Sequence, residues 1–283
     1  MESLASREGD GIFIFTKDEK KFKPWLLKAV KGVLYAKKLP LYQELRYSSE
    51  KPYVGITSDG KDTLYAIYEE GKPRTWKLDI FRITGTSYRT RVLTSRPPKH
   101  STLMDVSWEG NTLLILFQVE TIEGYPLYLQ SFSPEKGATA PPLKLETEGL
   151  LLEGKNRKVS FAKLPSSSIF IIFLPKKGFF EVELEGFKIK KLAPWSDLPL
   201  EKAEPRGLTF WETSSAQLTY LSSELPQILL LGKGGKTTMD IRGLPPREKI
   251  CPYLMDHGFS APYFTFLDLS VKVQQLERKL GRK

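Results

Sequence analysis

A recurring unit of short apolar segments separated by polar turns constrains the fold of this chain more than any other feature. The units begin at intervals of roughly 40–50 residues. Their first apolar segments open near Ile12, Tyr53, Leu103, Val159, Leu208 and Cys251. Each segment passes through a short polar turn into a second apolar segment. Repeats of this length, made of three or four antiparallel strands, are typical of the blades of a β-propeller.

The apolar pattern inside the units indicates sheets that are covered on both sides. The central runs 114–116 and 170–172 are apolar at consecutive positions, as expected of strands that are buried on both faces. The segment 181–185 alternates Glu with apolar residues, which predicts an outer strand with Val182 and Leu184 turned inward. Because one such sheet cannot cover its own faces, neighbouring units must do so.

We therefore predict an all-β, propeller-like fold of antiparallel three- or four-stranded units. Six blades are favoured, and five or seven are the alternatives. A pair of β-sandwiches or a large irregular barrel is the competing architecture. Residues 1–268 are expected to form this single domain. The propeller prediction depends on the regular spacing of the repeats, since no Trp-Asp or kelch-type signature recurs.

Residues 269–283 predict a short C-terminal amphipathic helix. Its apolar positions, spaced by four, three and four residues, are Leu269, Val273, Leu276 and Leu280. The helix could pack on its own domain, dock on a partner or form an oligomerisation seam, and the sequence leaves these alternatives open.

Groups suited to catalysis are scarce. The only histidines are His100 and His257, and the only cysteine, Cys251, lies six residues before His257. This spacing does not match a zinc-binding pair, and no Ser-His-Asp or Cys-His device is apparent. The segment 231–238 is rich in glycine and contains Gly-Lys-Thr, but Leu230 stands where a phosphate-binding loop needs its first glycine. We therefore predict that this segment is a glycine-rich hairpin turn. We predict no metal, no cofactor and no enzyme activity.

Basic residues outnumber acidic ones, and the excess is concentrated in the first part of the chain. The net charge is +10, and residues 1–100 carry 20 basic and 12 acidic side chains. The stretch 81–100 contains no acid. Its basic residues, predicted to bind an anionic partner, are Arg82, Arg89, Arg91, Arg96 and Lys99. Arginine suits phosphate or carboxylate recognition, but these arginines could instead pair with acids elsewhere in the fold.

The composition predicts a cytoplasmic protein that folds in a reducing compartment. A single cysteine excludes an intramolecular disulfide, and residues 1–10 do not resemble a signal peptide. No apolar run approaches the roughly 18 residues of a membrane span. Few Asn, Cys and Met beside many Lys and Glu also resemble thermophilic proteins.

These observations predict a non-enzymatic scaffold with protein partners or self-assembly, part of a larger assembly such as a virion or phage tail. One alternative is a nucleic-acid-binding module that uses the basic loop at 82–99. Another is a glycan-binding or glycan-hydrolysing propeller. Hydrolysis would need two carboxylates at a set separation, and the obvious acids, Glu69-Glu70 and Glu181, Glu183 and Glu185, lie at a turn and on an alternating strand.

Overall fold

The described part of the chain is built from strands and turns. A computed structural model describes residues 12–17, 21–30, 33–38, 45–46, 53–59, 63–82, 88–145, 159–163, 168–174, 178–185, 188–194, 208–212, 216–220, 227–232, 235–243 and 249–257. These residues contain no helix, which confirms the all-β prediction. The strands, in chain order, are β1 (Ile12–Lys17), β2 (Lys21–Val30), β3 (Val33–Lys38), β4 (Leu45–Arg46), β5 (Tyr53–Ser58), β6 (Thr63–Glu70), β7 (Thr75–Arg82), β8 (Tyr88–Thr94), β9 (Ser101–Glu109), β10 (Thr112–Val119), β11 (Leu127–Ser133), β12 (Gly137–Ala138), β13 (Leu143–Leu145), β14 (Ser160–Lys163), β15 (Ile169–Leu174), β16 (Gly178–Glu185), β17 (Lys188–Pro194), β18 (Leu208–Glu212), β19 (Ala216–Tyr220), β20 (Gln227–Gly232), β21 (Gly235–Arg242) and β22 (Lys249–His257).

The strands are arranged in sheets whose neighbours mostly follow one another along the chain. Strands β5 to β8 form one antiparallel sheet and β14 to β17 form another. Strands β9 to β12 form a third, in which β13 also pairs with β11. The remaining strands form two runs of four, β18-β19-β20-β21 and β22-β1-β2-β3, which are joined by a parallel pair between β21 and β3. Antiparallel four-strand units therefore recur along the chain.

The first and last described strands belong to the same unit. Strand β1 pairs antiparallel with β22, so that Ile12 lies opposite His257 and Phe15 lies opposite Cys251. The segments expected to open a first and a sixth unit therefore lie side by side in one sheet. The described strands make five units, one fewer than the favoured number. The prediction gave one unit too many because the spacing of the apolar segments does not show which strands pair across the chain.

The first strands of the five units contact one another in a closed cycle. Strand β22 contacts β5, β5 contacts β9, β9 contacts β14, β14 contacts β18, and β18 contacts β22. Strands β5 and β9 run in the same direction, because Gly55 lies against Asp105 while Thr57 accepts a hydrogen bond from the Trp108 backbone. Strands β18 and β22 also run in the same direction, because each begins a four-strand antiparallel run and the fourth strands pair in parallel.

The core lies between neighbouring sheets. One cluster joins the β5–β8 sheet to the β9–β12 sheet, and its members include Ile67, Leu78, Leu103, Ile115 and Phe117. A second cluster joins the β9–β12 sheet to the β14–β17 sheet. Both faces of β10 are therefore buried, as its continuous apolar sequence predicts. Apolar burial of this kind is the main favourable term in folding.

The outer part of the β14–β17 sheet follows the predicted alternation. Val182 and Leu184 are buried, whereas Glu185 is exposed. Glu181 and Glu183 form salt bridges of 2.9 Å with Lys191 and Lys190 on β17. These glutamates therefore form ion pairs at the surface of the sheet.

Two predictions concern other parts of the chain. The glycine-rich segment after Leu231 connects two paired antiparallel strands, in line with the prediction, since Gly232 of β20 pairs with Gly235 of β21. The predicted C-terminal helix with Leu269, Val273, Leu276 and Leu280 lies outside the described residues. Among the residues that the structure does describe, no helix has the length and apolar character needed to cross a membrane.

Candidate functional site

A tryptophan followed by a glutamate ends the first strand of the β9–β12 sheet. The indole ring of Trp108 lies flat against the ring of Tyr65 on β6, with centroids 4.8 Å apart and an interplanar angle of 8°. The backbone N–H of Trp108 donates to the Thr57 hydroxyl at 2.9 Å, which fixes the end of β9 against β5. Trp108 and Glu109 are both half-buried, so they lie at the border between core and solvent.

The turn after Glu109 holds this residue in position. Gly110 has φ of +61°, a left-handed conformation that a residue with a side chain adopts at a cost. The Thr112 hydroxyl donates to the Glu109 carbonyl at 3.0 Å. The strand end and its turn therefore form a tight hairpin that fixes the backbone at Glu109.

Tyr65 is held in its neutral form by its surroundings. Burial, with a further contribution from the negative charge of Asp59, raises its pKa to about 12. A hydrogen bond involving Thr63 acts in the opposite direction, as does the positive charge of Arg89. The neighbouring Glu135 also raises the pKa. Burial is therefore the main cause of the raised pKa, and the nearby charges modify it.

Arg89 lies in the same row across the sheet as Tyr65. In the strand register, Tyr65 of β6 lies opposite Ile80 of β7, and Ile80 lies opposite Arg89 of β8. Arg91 points to the same face, because alternate residues of a strand share a face. This face is the one that packs on the β9–β12 sheet through Ile80 and its neighbours.

Two of the predicted anion-binding arginines converge on one carboxylate. Glu135, in the turn between β11 and β12, forms salt bridges with Arg89 and, at 2.6 Å, with Arg91. Arg91 also donates to the Glu135 carbonyl at 3.1 Å. All three side chains are solvent-accessible, with Glu135 55% exposed. The structure thus brings Arg89 and Arg91 together on one acid of the next sheet.

The other predicted anion-binding residues lie elsewhere. Arg82 is exposed at the end of β7, opposite Thr63. Arg96 lies in the turn after β8, where its backbone N–H donates to the Thr94 hydroxyl at 3.1 Å, and Lys99 lies in the turn before β9. The structure does not gather the five residues into one cluster, and their binding role stays a prediction.

A buried carboxylate occupies the opposite face of the β5–β8 sheet. Asp79 is fully buried and accepts hydrogen bonds from Tyr53 at 2.5 Å, Thr90 at 2.7 Å and Tyr68 at 3.3 Å. Hydroxyl donors stabilise a buried carboxylate without bringing in a second charge. This arrangement holds the four strands of the sheet together.

Asp105 of β9 is hydrogen-bonded to β14 and lies close to β5. One carboxylate oxygen accepts from the Phe161 backbone N–H at 2.9 Å, and the other accepts from the Val106 N–H at 2.8 Å. A Cβ on Gly55 would lie 2.5 Å from this second oxygen, so only glycine fits where β5 passes Asp105. The residue sits at an irregularity in the β9–β10 pairing, a feature that re-aims a side chain.

The Trp-Glu pair at the end of β9 has a counterpart at the end of β18. Trp211 and Glu212 are the last two residues of that strand, which is another member of the closed cycle. The repetition of Trp-Glu at 108–109 and 211–212 was visible in the sequence, but without the cycle of strands it had no structural meaning. Cys251 and His257 lie near opposite ends of β22.

Comparison with known proteins finds similar structures but no related sequences. No family model matches the chain, and no curated protein matches it. One similar structure is a protein from Lactobacillus plantarum, 14% identical, with a TM-score of 0.41 over 84% of this chain and 68% of the other. The catalytic domain of the Coprinopsis cinerea GH62 alpha-L-arabinofuranosidase is 11% identical, with a TM-score of 0.36 over 88% and 92%. A mutant of a Bombyx mori GH32 beta-fructofuranosidase in complex with sucrose is 9% identical, with a TM-score of 0.33 over 85% and 81%.

These comparisons correct two predictions made from the sequence. Two of the three structures are glycoside hydrolases, and against this finding the predictions of a non-enzymatic assembly or virion component and of a protein that is not an enzyme are withdrawn. The alternative of a glycan-binding or glycan-hydrolysing protein agrees better with them.

Proposed function

We propose that the protein binds and hydrolyses glycans at the end of the strand cycle where β9 terminates in Trp108-Glu109. The observation that carries the proposal is the half-buried Trp108, held flat on Tyr65 and followed directly by a carboxylate. The negative face of an aromatic ring attracts the C–H-rich face of a sugar ring, and a carboxylate can act on the glycosidic bond beside it.

We infer that the five units form a five-bladed β-propeller. Support comes from the closed cycle of first strands and from the pairing of β1 with β22, which joins the two ends of the described chain in one unit. In such a ring the first strands surround a central axis, and their ends open on a common face. Loops at one end of a rigid scaffold are a frequent position for binding and catalysis.

The second carboxylate that hydrolysis requires would come from another strand of the cycle. Glu212 is the leading candidate, because it follows Trp211 at the end of β18 as Glu109 follows Trp108. Asp256, near the end of β22, is the alternative. One carboxyl group would protonate the leaving oxygen, while the other would act as a nucleophile or activate water.

The proposal is tested with a panel of polysaccharides and aryl glycosides, measuring both binding and release of reducing sugar. Glu109→Gln should keep binding but lower turnover by about 100-fold or more, because a general acid–base group is lost. Trp108→Ala should weaken binding by about tenfold or more, because the aromatic surface is lost. Glu123→Gln, at an exposed turn between β10 and β11, is the matched control and should change neither quantity.

Two results would reject the proposal. One is a panel in which no glycan binds or is cleaved. The other is cleavage that Glu109→Gln leaves at the wild-type rate, with thermal unfolding showing that both proteins are folded.

A further inference from the structure

Arg89, Arg91 and Glu135 lie close to the aromatic pair of the proposed site. Glu135 is bound to Arg89, so its carboxylate lies on the same face of the β5–β8 sheet as Tyr65. Arg89 is two strands away from Tyr65 in a single row, about 10 Å between Cα atoms at the usual strand spacing.

The arginine pair already has the geometry of a carboxylate receptor. Each of the two Glu135 carboxylate oxygens is bound by a different guanidinium group, Oε1 by Arg89 and Oε2 by Arg91. Guanidinium groups suit carboxylates because their planar N–H donors match the two oxygens. The position that Glu135 fills could therefore hold the carboxylate of a ligand.

The carboxylate that fills the receptor is an exchangeable one. Glu135 belongs to the short turn between β11 and β12, and its side chain is more than half exposed. Arg89 is 51% exposed and Arg91 36% exposed. Exposed ion pairs are weak, so a ligand carboxylate competes with Glu135 at little cost.

We propose that Arg89 and Arg91 form a subsite for the carboxylate of an acidic sugar, a uronate, and that Glu135 fills this subsite in the free protein. The inference rests on the proposed glycan function and names its substrate class. In the complex, the carboxylate of a uronate would replace that of Glu135 on the two arginines. The net positive charge of the chain favours the approach of such a polyanion.

The test compares two probes, tetragalacturonate and its fully methyl-esterified form, by titration calorimetry. The acid should bind about tenfold more tightly than the ester, in line with one charge-assisted contact. Arg89→Gln and Arg91→Gln should each reduce acid binding far more than ester binding and so remove the preference. Glu135→Gln should increase the affinity for the acid several-fold, because the competing charge is gone. Lys136→Gln, the exposed neighbour of Glu135, is the control and should leave the acid-to-ester ratio unchanged.

Each failure has a separate meaning. If the ester binds with dependence on Trp108 but the acid binds no more tightly, the uronate subsite is rejected and the glycan function stands. If neither probe nor any glycan of the panel binds, both proposals fall. If single-stranded DNA binds more tightly than tetragalacturonate and loses its binding in the same arginine variants, the anion recognised belongs to a nucleic acid and the uronate assignment is overturned.

Discussion

Each face of the β5–β8 sheet holds a carboxylate, but the two carboxylates differ in exposure and in the groups that bind them. On one face, Asp79 is fully buried and is held by the hydroxyl groups of Tyr53, Tyr68 and Thr90. On the other face, Glu135 of the next sheet is more than half exposed and is held by Arg89 and Arg91. Neutral donors hold the buried carboxylate inside the sheet, whereas exposed arginines hold a carboxylate that another anion can replace.

This difference separates structure from function on a single sheet. A buried carboxylate without its donors would cost several kcal/mol, so the Asp79 network must form whenever the protein folds. The Glu135 contact contributes little to stability, and the same two arginines can therefore be used for binding. The face with Arg89 also carries Tyr65 and contacts Trp108, so its polar groups lie next to an aromatic surface.

The largest expected effect is on the Asp79 face. Asp79→Ala removes the acceptor shared by three hydroxyl groups on three different strands and should lower the free energy of unfolding by about 3 kcal/mol. Urea denaturation followed by circular dichroism measures the change. Tyr53→Phe, which removes one of the three donors, should cost about 1 kcal/mol.

The matched change on the other face is Glu135→Ala. Because its contacts are exposed, it should alter the free energy of unfolding by less than about 1 kcal/mol. Equal losses in Asp79→Ala and Glu135→Ala would remove the distinction between the two faces and would weaken the case for an exchangeable carboxylate.

The next effect concerns the inner edge of the sheet, where β5 passes β9. Gly55→Ala should destabilise the protein by about 2 kcal/mol, because the new methyl group would lie 2.5 Å from the Asp105 carboxylate and 3.1 Å from the β9 backbone. The double variant Gly55→Ala, Asp105→Ala should show a smaller loss than the sum of the single variants, since the closest clash is absent. Additive losses would mean that the carboxylate is not the limiting contact.

The strands could be predicted from the sequence because their signals are local. Consecutive apolar residues in β10 and the Glu-apolar alternation in β16 reflect burial on two faces or on one. The number of units could not be predicted, because the pairing of β1 with β22 joins residues from the two ends of the described chain. No local sequence pattern distinguishes a strand that begins a new sheet from one that completes a sheet formed by strands far away in the chain.

The candidate site was predicted only in part. A stretch rich in arginine and free of acids indicated Arg89 and Arg91, but their partner Glu135 lies 44 residues beyond Arg91 and its role depends on sheet packing. Trp108 and Glu109 have the sequence of an ordinary strand end. Their meaning comes from Tyr65 and from the cycle of first strands, which are properties of the folded chain.

The smallest effect, and the most local one, is the ionisation of Tyr65. Its pKa in the folded protein, about 12, exceeds the usual value near 10, so the folded state retains the proton longer than the unfolded state does. Below pH 10 the residue leaves stability unchanged, and between pH 10 and 12 the protein loses stability as pH rises. The difference in tyrosinate absorbance between the wild type and Tyr65→Phe, measured as a function of pH, isolates this group among the 12 tyrosines.

Two substitutions assign the cause of this shift. Trp108→Ala should move the pKa of Tyr65 toward 10, because burial is its largest cause and the stacked indole provides part of that burial. Glu135→Gln should lower the pKa by a smaller amount, because the charge of Glu135 is the weakest of the influences that raise it. If Trp108→Ala leaves the titration unchanged, the indole does not cover Tyr65 in solution, and the aromatic surface on which the glycan proposal depends is absent.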